Sequence, residues 1–408
     1  MATAAIPDAV RDPLVEPAGA GLTRAGTVRV DAIDRLRGLV IALMVLDHVR
    51  DFFHVDVIAY DPTDPARTTA ILFATRWITH LCAPTFVFLA GVSIHFQKAD
   101  GKPDAALSRF LLTRGAWLVV LECTLVSFGF NFGAPFLFLQ VIWAIGMSMI
   151  AMSLIACLPT RAVLAIGGAL LLVCPLLLAA TEGATGLGAI VRTIAIAPGT
   201  LPGLPTFQPY PVLPWLAVMC LGFGLGPVFR QPARERRRAV LGIALGLLAA
   251  FLVLRGLNGY GDPAPWHGWP TAGQTVMGFL NISKYPPSPD YVAITLGLSL
   301  LLFLLLERLG GAASRVLLDF GRTPLFTYLC HLYIAHGLML LTAAAMGMPA
   351  VAINLLPNWF AGTIPASWGF SLTTVYCVWL LVLAMLVPLA RWFAGVKRRR
   401  RDWWLGYL

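Results

Sequence analysis

The chain has 408 residues, 58% of them hydrophobic and only 12% charged. Soluble domains carry about 25% charged residues, so a water-soluble globular protein is excluded and one integral membrane domain is indicated. The net charge of +10 invites a nucleic-acid reading, but the basic residues punctuate apolar segments as topology signals do, so no nucleic-acid partner is expected.

Residues 1–30 are rich in Ala, Pro and Arg, with no apolar core ahead of a cleavage site. They read as a disordered cytoplasmic tail rather than a signal peptide. A membrane helix needs about 20 mostly apolar residues. Ten windows qualify, at about 36–55, 70–97, 109–131, 135–157, 161–181, 211–229, 239–256, 289–307, 323–345 and 371–394. The second contains Pro84, which predicts a kink. In the connection 182–210, "LGAIVRTIAIA" is apolar but too short to span, so it is expected to be interfacial or re-entrant. Connections 257–290 and 346–370 carry "GYGDPAPWHGWP", "NISKYPPSPD" and "NLLPNWFAGTIPASWGF". Their Trp and Tyr suit the membrane interface, and their Pro and Gly predict ordered loops without long helices. A basic and aromatic stretch, 397–408, reads as a cytoplasmic tail, leaving 31–396 as the membrane domain. No internal repeat of the kind that builds a two-halved transporter stands out.

Placing the N-terminus in the cytoplasm leaves Arg50, Arg67, Arg192, Arg255 and Lys284 in outer segments and Arg76 within a span; the other 24 of the 30 Lys and Arg are inside. An odd number of spans would expose one strongly basic end, so the count supports ten spans with both termini cytoplasmic. The seven cysteines are scattered, without a CxxC pair. They predict buried thiols rather than a metal site or a disulfide framework.

The first span ends in a concentration of polar groups: Asp47, His48, Arg50, Asp51 and His54. Asp47, Arg50, Asp51 and His54 fall on one helix face, with His48 about 100° round. The second span brings Arg76 and His80 at i, i+4, and the ninth brings Tyr328 and His331 at i, i+3, with His336 on another face. At 1.5 Å per residue these groups lie roughly 12–20 Å from one face of the bilayer, which predicts a shared polar cavity. Ionisable residues at that depth usually face a bundle interior. Single histidines also serve as interhelical hydrogen-bond partners, and His95 and His267 read that way, as packing and interfacial residues. A His beside a carboxylate suits general-base chemistry: Asp47 or Asp51 would orient His48. Arg76, His80 or Tyr328 would donate to a developing oxyanion. No GxSxG motif or nucleophilic Cys motif is present.

"DRLRG" at 34–38, "LMVLDH" at 43–48, "THLCAPTFVFLAG" at 79–91, "KYPP" at 284–287 and "PLFTYLCH" at 324–331 resemble bacterial members of the family carrying the heparan-alpha-glucosaminide N-acetyltransferase catalytic domain. The resemblance runs from about Val30 to the end of the ninth span. More distantly, the chain is similar to the wider transmembrane acyltransferase superfamily, whose first span carries Asp-x-x-Arg with a catalytic His further along; Asp34, Arg37 and His48 stand at that spacing. In the animal branch the catalytic His lies in the first non-cytoplasmic segment, where this chain has His54. Both His48 and His54 are therefore candidate bases.

The resemblance implies an all-α polytopic bundle in a bacterial inner membrane. It implies an acyltransferase with acetyl-CoA or another acyl-CoA as cytoplasmic donor, no permanently bound cofactor, no metal, and an extracytoplasmic sugar or glycolipid as acceptor. Membrane lipids are the other expected partners, and an oligomer is compatible with the sequence. Arg35, Arg37 and Lys284 are the candidates for donor binding; Lys98, Lys102, Arg109 and Arg114 are further basic residues at the inner end, where Arg and Lys suit phosphate recognition. Two rival classes use the same residues: a proton-coupled transporter through Asp47, His48, Asp51 and Arg76, and a membrane haem protein ligated by His80 and His95.

Overall fold

The computed structural model describes residues 30–57, 60–400 and 402–407. The expected N-terminal tail, apart from Val30, lies outside these residues. The protein is an all-α multi-pass bundle, with helices at each of the ten predicted spans. Eight helical segments are long and apolar enough to cross a membrane.

Helix α1 (Asp31–Phe53) is long enough, at 23 residues, but is charged at both ends. It is the centre of the bundle. Val40, Ile41, Val45 and Val49 are fully buried, and its charged ends turn toward cavities and ion-pair partners rather than lipid.

The second span is broken as Pro84 requires. Helix α2 (Ala70–Ile78) passes through a single tight turn, Thr79–Leu81, into α3 (Cys82–Ala99). Pro84 has no N–H, so the His80 carbonyl loses its helical donor. The Tyr291 hydroxyl donates to that carbonyl at 2.8 Å.

The third span is α4 (Asp104–Leu121), a widened turn at Glu122–Val126, and α5 (Ser127–Phe130). A two-residue strand β1 (Leu137–Phe138) leads into α6 (Val141–Ile155), an apolar helix whose 15 residues leave it outside those eight. Glu122, fully buried, caps α6: its carboxylate accepts from the backbone N–H of Gln140 at 2.7 Å and of Trp143 at 3.0 Å. An acidic group at a helix N-terminus satisfies orphan donors and opposes the positive end of the dipole.

Helix α7 (Thr160–Ala180) is followed by the short α8 (Gly186–Ala195), the apolar piece expected to be interfacial, with Leu187 and Val191 exposed. Strand β2 (Thr206–Phe207) then pairs in parallel with β1, Leu137 opposite Thr206 and Phe138 opposite Phe207. This joins two outer connections. Helix α9 (Val212–Arg230) lies tightly on α3. A Cβ on Gly91 would sit 2.0 Å from the Met219 carbonyl oxygen, and one on Gly222 2.0 Å from that of Phe88. Small residues permit this approach where lipid supplies no hydrophobic drive.

Helices α10 (Ala233–Leu257) and α12 (Pro289–Leu306) pack together, with α11 (Ala272–Leu280) in the loop between. The loop is ordered by buried Arg255, whose guanidinium donates to the carbonyls of Ala264, Gly278, Phe279 and Asn281 at 2.7–3.1 Å. Asp262 accepts from the Ser283 N–H and the Ser288 hydroxyl, each at 2.7 Å. Arg255, read from sequence as an outer topology marker, is the scaffold that positions the KYPP segment.

Helix α13 (Gly311–Arg322) was not among the expected elements. It abuts the inner end of α1, where the Gly38 and Gly321 positions leave no room for a side chain. Thr323 breaks it from α14 (Pro324–Ala345). Short helices α15 (Pro349–Ile353) and α16 (Leu355–Ala361) fill the last long connection, ahead of α17 (Leu372–Arg399). The basic run from Lys397 thus begins within a helix, which ends at Arg399.

Candidate functional site

Two cavities with shared lining residues lie inside the bundle, named inner and outer by the orientation expected from the sequence. The inner one, about 490 Å³, is lined by Asp34 and Arg37 of α1, Ser93 and Gln97 of α3, Arg114 of α4, Arg322 of α13, Lys397 of α17 and Tyr328 of α14. The outer one, about 470 Å³, is lined by Asp47, His48, Arg50 and Asp51 of α1, with Arg76, Gln140 and Lys284. Its walls are aromatic: Tyr60, Phe130, Phe138, Phe207, Tyr210, Tyr285, Trp359 and Phe360. Met44, Phe86 and Val141 line both cavities. They form a waist one helical turn before His48.

At the inner end, Arg37 donates to Asp34 at 2.9 Å and to Ser93 at 3.3 Å, and it faces the cavity. Arg35 does not: it donates to the Ser314 hydroxyl at 2.8 Å and the Leu306 carbonyl at 3.1 Å, fixing α13 against α1. Lys98 donates to the carbonyls of Ala156 and Leu158, and Lys102 lies over the Phe110 ring; neither lines the cavity. Arg114 does, and donates to the Gly406 carbonyl.

The outer end is organised by Asp47. Its Oδ1 accepts from Arg76 at 3.0 Å and from Thr79 at 2.8 Å, and lies 2.8 Å from an Arg50 nitrogen. Lys284 is 3.8 Å from Oδ2. Arg50 also bonds Asp51 at 2.5 Å. Three cations thus converge on one carboxylate and hold α1, α2 and the KYPP segment together. Lys284, grouped from sequence with the donor-binding candidates, lies in the outer cavity, away from Arg37. Tyr60 donates to Asp56 at 3.0 Å. Burial first, then that bond, raises the Tyr60 phenol above its ordinary range, so it stays a neutral donor at the cavity mouth.

The histidines separate into different roles. His48 Nδ1 is 2.8 Å from His331 Nε2, with the rings stacked 5.0 Å apart. Neither Asp47 nor Asp51 hydrogen-bonds His48. His331 is fully buried, and the Tyr328 ring stands 5.3 Å from it and 6.3 Å from His48. The Tyr328 hydroxyl is buried with no hydrogen-bond partner among the described residues. His54 turns away from both cavities: its Nδ1 accepts from the Asp56 N–H, and its backbone bridges to Phe370. His80 stacks on Trp77, and its Nδ1 is 3.1 Å from the Arg76 carbonyl. His336 lies between the carbonyls of Gly129 and Ala352 and stacks on Phe132. His95 packs against Phe223, and His267 against Trp269.

The structure also shows residues that sequence reasoning passed over. Gln140 and the aromatic wall, apart from Phe130 of α5, come from five separate connections whose sequences show no shared pattern. Glu122 carried a detectable signal, a lone acid inside an apolar span, which is costly unless satisfied.

Fold and site define a multi-pass membrane protein with a buried polar centre between an inner and an outer cavity. Residues 29–258, more than half the chain, match the family model described as heparan-alpha-glucosaminide N-acetyltransferase, catalytic. The chain belongs to that family and is a membrane acetyltransferase by membership. The match ends before the KYPP and PLFTYLCH segments. No curated protein matches the chain.

Proposed function

We propose that the protein transfers an acetyl or similar short acyl group from cytoplasmic acyl-CoA to a sugar or glycolipid on the far side of a bacterial inner membrane. The observation that carries this reading is the pair of cavities sharing a waist beside His48. The basic inner cavity suits the phosphates of CoA, with Arg37 and Arg114 as charge-assisted donors. The aromatic and charged outer cavity suits a sugar ring. The distribution of Lys and Arg supports a cytoplasmic position for both termini.

In this reading the thioester carbonyl reaches the waist from the inner side and the acceptor comes from the outer side. His48 Nε2 takes the proton of the acceptor's amine or hydroxyl as that atom bonds to the carbonyl carbon. The developing oxyanion is met by the Tyr328 hydroxyl. The carbon–sulfur bond then breaks, and the proton on His48 passes to the departing thiolate, leaving free CoA and restoring His48. Asp47, Arg76 and Lys284 keep the outer wall in place rather than touching the reacting atoms.

The test is acyl transfer by purified protein in lipid, with acetyl-CoA and a panel of amino sugars and glycolipids. His48→Gln is expected to lose turnover by on the order of 10²–10⁴-fold while its thermal unfolding still responds to acetyl-CoA. His54→Ala is expected to keep turnover within about threefold, because its ring caps a turn outside both cavities. A dead His54→Ala beside an active His48→Gln would reverse the assignment.

A further inference from the structure

We infer that His331 is a positioning residue that sets the tautomer of His48, taking the part a carboxylate plays in a Ser-His-Asp triad. The inference rests on the acyl-transfer reading above and concerns how the base is prepared. The two residues are 283 positions apart in sequence, on α1 and α14, yet the only polar side chain hydrogen-bonded to His48 among the described residues is His331, at 2.8 Å.

Two neutral imidazoles joined through Nδ1 and Nε2 share one proton, so one ring donates and the other accepts. The surroundings decide which. The remaining polar contacts of the His331 ring are the carbonyls of Thr327 and Tyr328, on the preceding turn of α14, although no hydrogen bond of standard geometry forms at Nδ1. A lone pair on Nδ1 of this fully buried ring would face carbonyl oxygens, which is repulsive; an N–H there is attractive. His331 therefore carries its proton on Nδ1 and accepts through Nε2. His48 must then donate from Nδ1, which leaves the lone pair on His48 Nε2. That nitrogen has no hydrogen-bond partner among the described residues, and His48 lines the outer cavity. The opposite arrangement would put a proton on Nε2 and give the acceptor a donor where it needs a base.

The arrangement is also held sterically. Phe130 meets the His48 ring edge-on at 5.1 Å and Tyr328 meets the His331 ring at 5.3 Å. Packing on both sides limits rotation of either imidazole. When His48 takes the acceptor's proton it becomes an imidazolium, and the His331 Nε2 lone pair stabilises it through the same bond. A second histidine does this without adding a fixed negative charge to the buried centre, where an unpaired carboxylate would be costly.

The test has one measurement on the native protein and one on variants. Solid-state nitrogen NMR of histidine-labelled protein in lipid, with His48→Gln and His331→Gln spectra for assignment, reads each tautomer directly. The expected result is a proton on Nδ1 of both rings and a bare Nε2 on His48; a protonated Nε2 on neutral His48 overturns the inference. In the variants, His331→Gln keeps an oxygen that can accept from His48 Nδ1 and is expected to retain kcat within about tenfold. His331→Leu fills the space without an acceptor and is expected to lose kcat by on the order of 10²–10⁴-fold, with the KM for acetyl-CoA little changed. Equal losses in both variants would make His331 a packing residue and overturn the inference. A wild-type protein that transfers no acyl group would overturn the functional reading while leaving the tautomer result standing.

Discussion

Asp47→Asn isolates the charge of the residue on which the outer end of the site converges, since the amide keeps the shape of the carboxylate. The carboxylate is about as buried as its main partner, with side-chain exposures of 12% for Asp47 and 13% for Arg76. It meets Arg76 at 3.0 Å, Arg50 at 2.8 Å and Lys284 at 3.8 Å. Neutralising it leaves three cations facing one another, with Asp51 bonded to Arg50 as the nearest remaining counter-charge. Two unit charges 4 Å apart interact by about 4 kcal/mol at an effective dielectric of 20. Removing one partner of a buried pair typically costs about 3–5 kcal/mol, whereas an exposed pair contributes about 0–1 kcal/mol. The burial places Asp47→Asn near the first figure. Equilibrium unfolding in mixed micelles, for Asp47→Asn, Arg76→Gln and the double variant, measures it. The double variant should be more stable than the sum of the single losses by roughly 0.5–3 kcal/mol, because the second change removes a charge the first left unpaired. An Asp47→Asn protein within about 1 kcal/mol of wild type, with strictly additive effects, would refute the argument that this cluster holds α1, α2 and the KYPP segment together.

Two further outcomes are expected. Arg37→Ala should weaken acetyl-CoA binding by on the order of tenfold to a hundredfold, the value of a charge-assisted hydrogen bond, and Arg308→Ala should leave it unchanged; isothermal titration in detergent distinguishes them, and equal small effects would remove Arg37 from the donor site. Gly321→Ala would place a methyl group 1.8 Å from the Asp34 carbonyl oxygen, so α13 must move off α1; a lowered Tm is expected, and an unchanged Tm would mean that the contact is slack.

Much of this protein is legible in its sequence. A spanning helix must be long and apolar and must satisfy its own backbone, so the windows of the chain located the crossing helices directly. Pro84 marked the break in the second span because a missing N–H is a local property. The charge and imidazole at the end of α1 stood out for the same reason: polar groups in lipid are costly wherever they occur.

What remained hidden was pairing. Asp47 and Asp51 are adjacent in sequence or one turn away from His48, so a His–Asp partnership was the natural local reading. Tertiary structure brings Arg76 and Lys284 from other segments to Asp47. In a low-dielectric interior a carboxylate gains far more from a cation than from a neutral imidazole. That competition releases His48 to His331, which is distant in sequence and carries no mark of the contact. The same limit hid α13, a 12-residue segment carrying Arg315, Asp319 and Arg322 that is held where glycines at 38 and 321 let two backbones meet. Composition and periodicity determined where ten helical segments lie, eight of them long and apolar enough to cross a membrane, and which ends are basic. Only the packing of α1 against α3, α12, α13, α14 and α17 decided which polar groups meet at its centre, because such contacts depend on distances that no single helix contains.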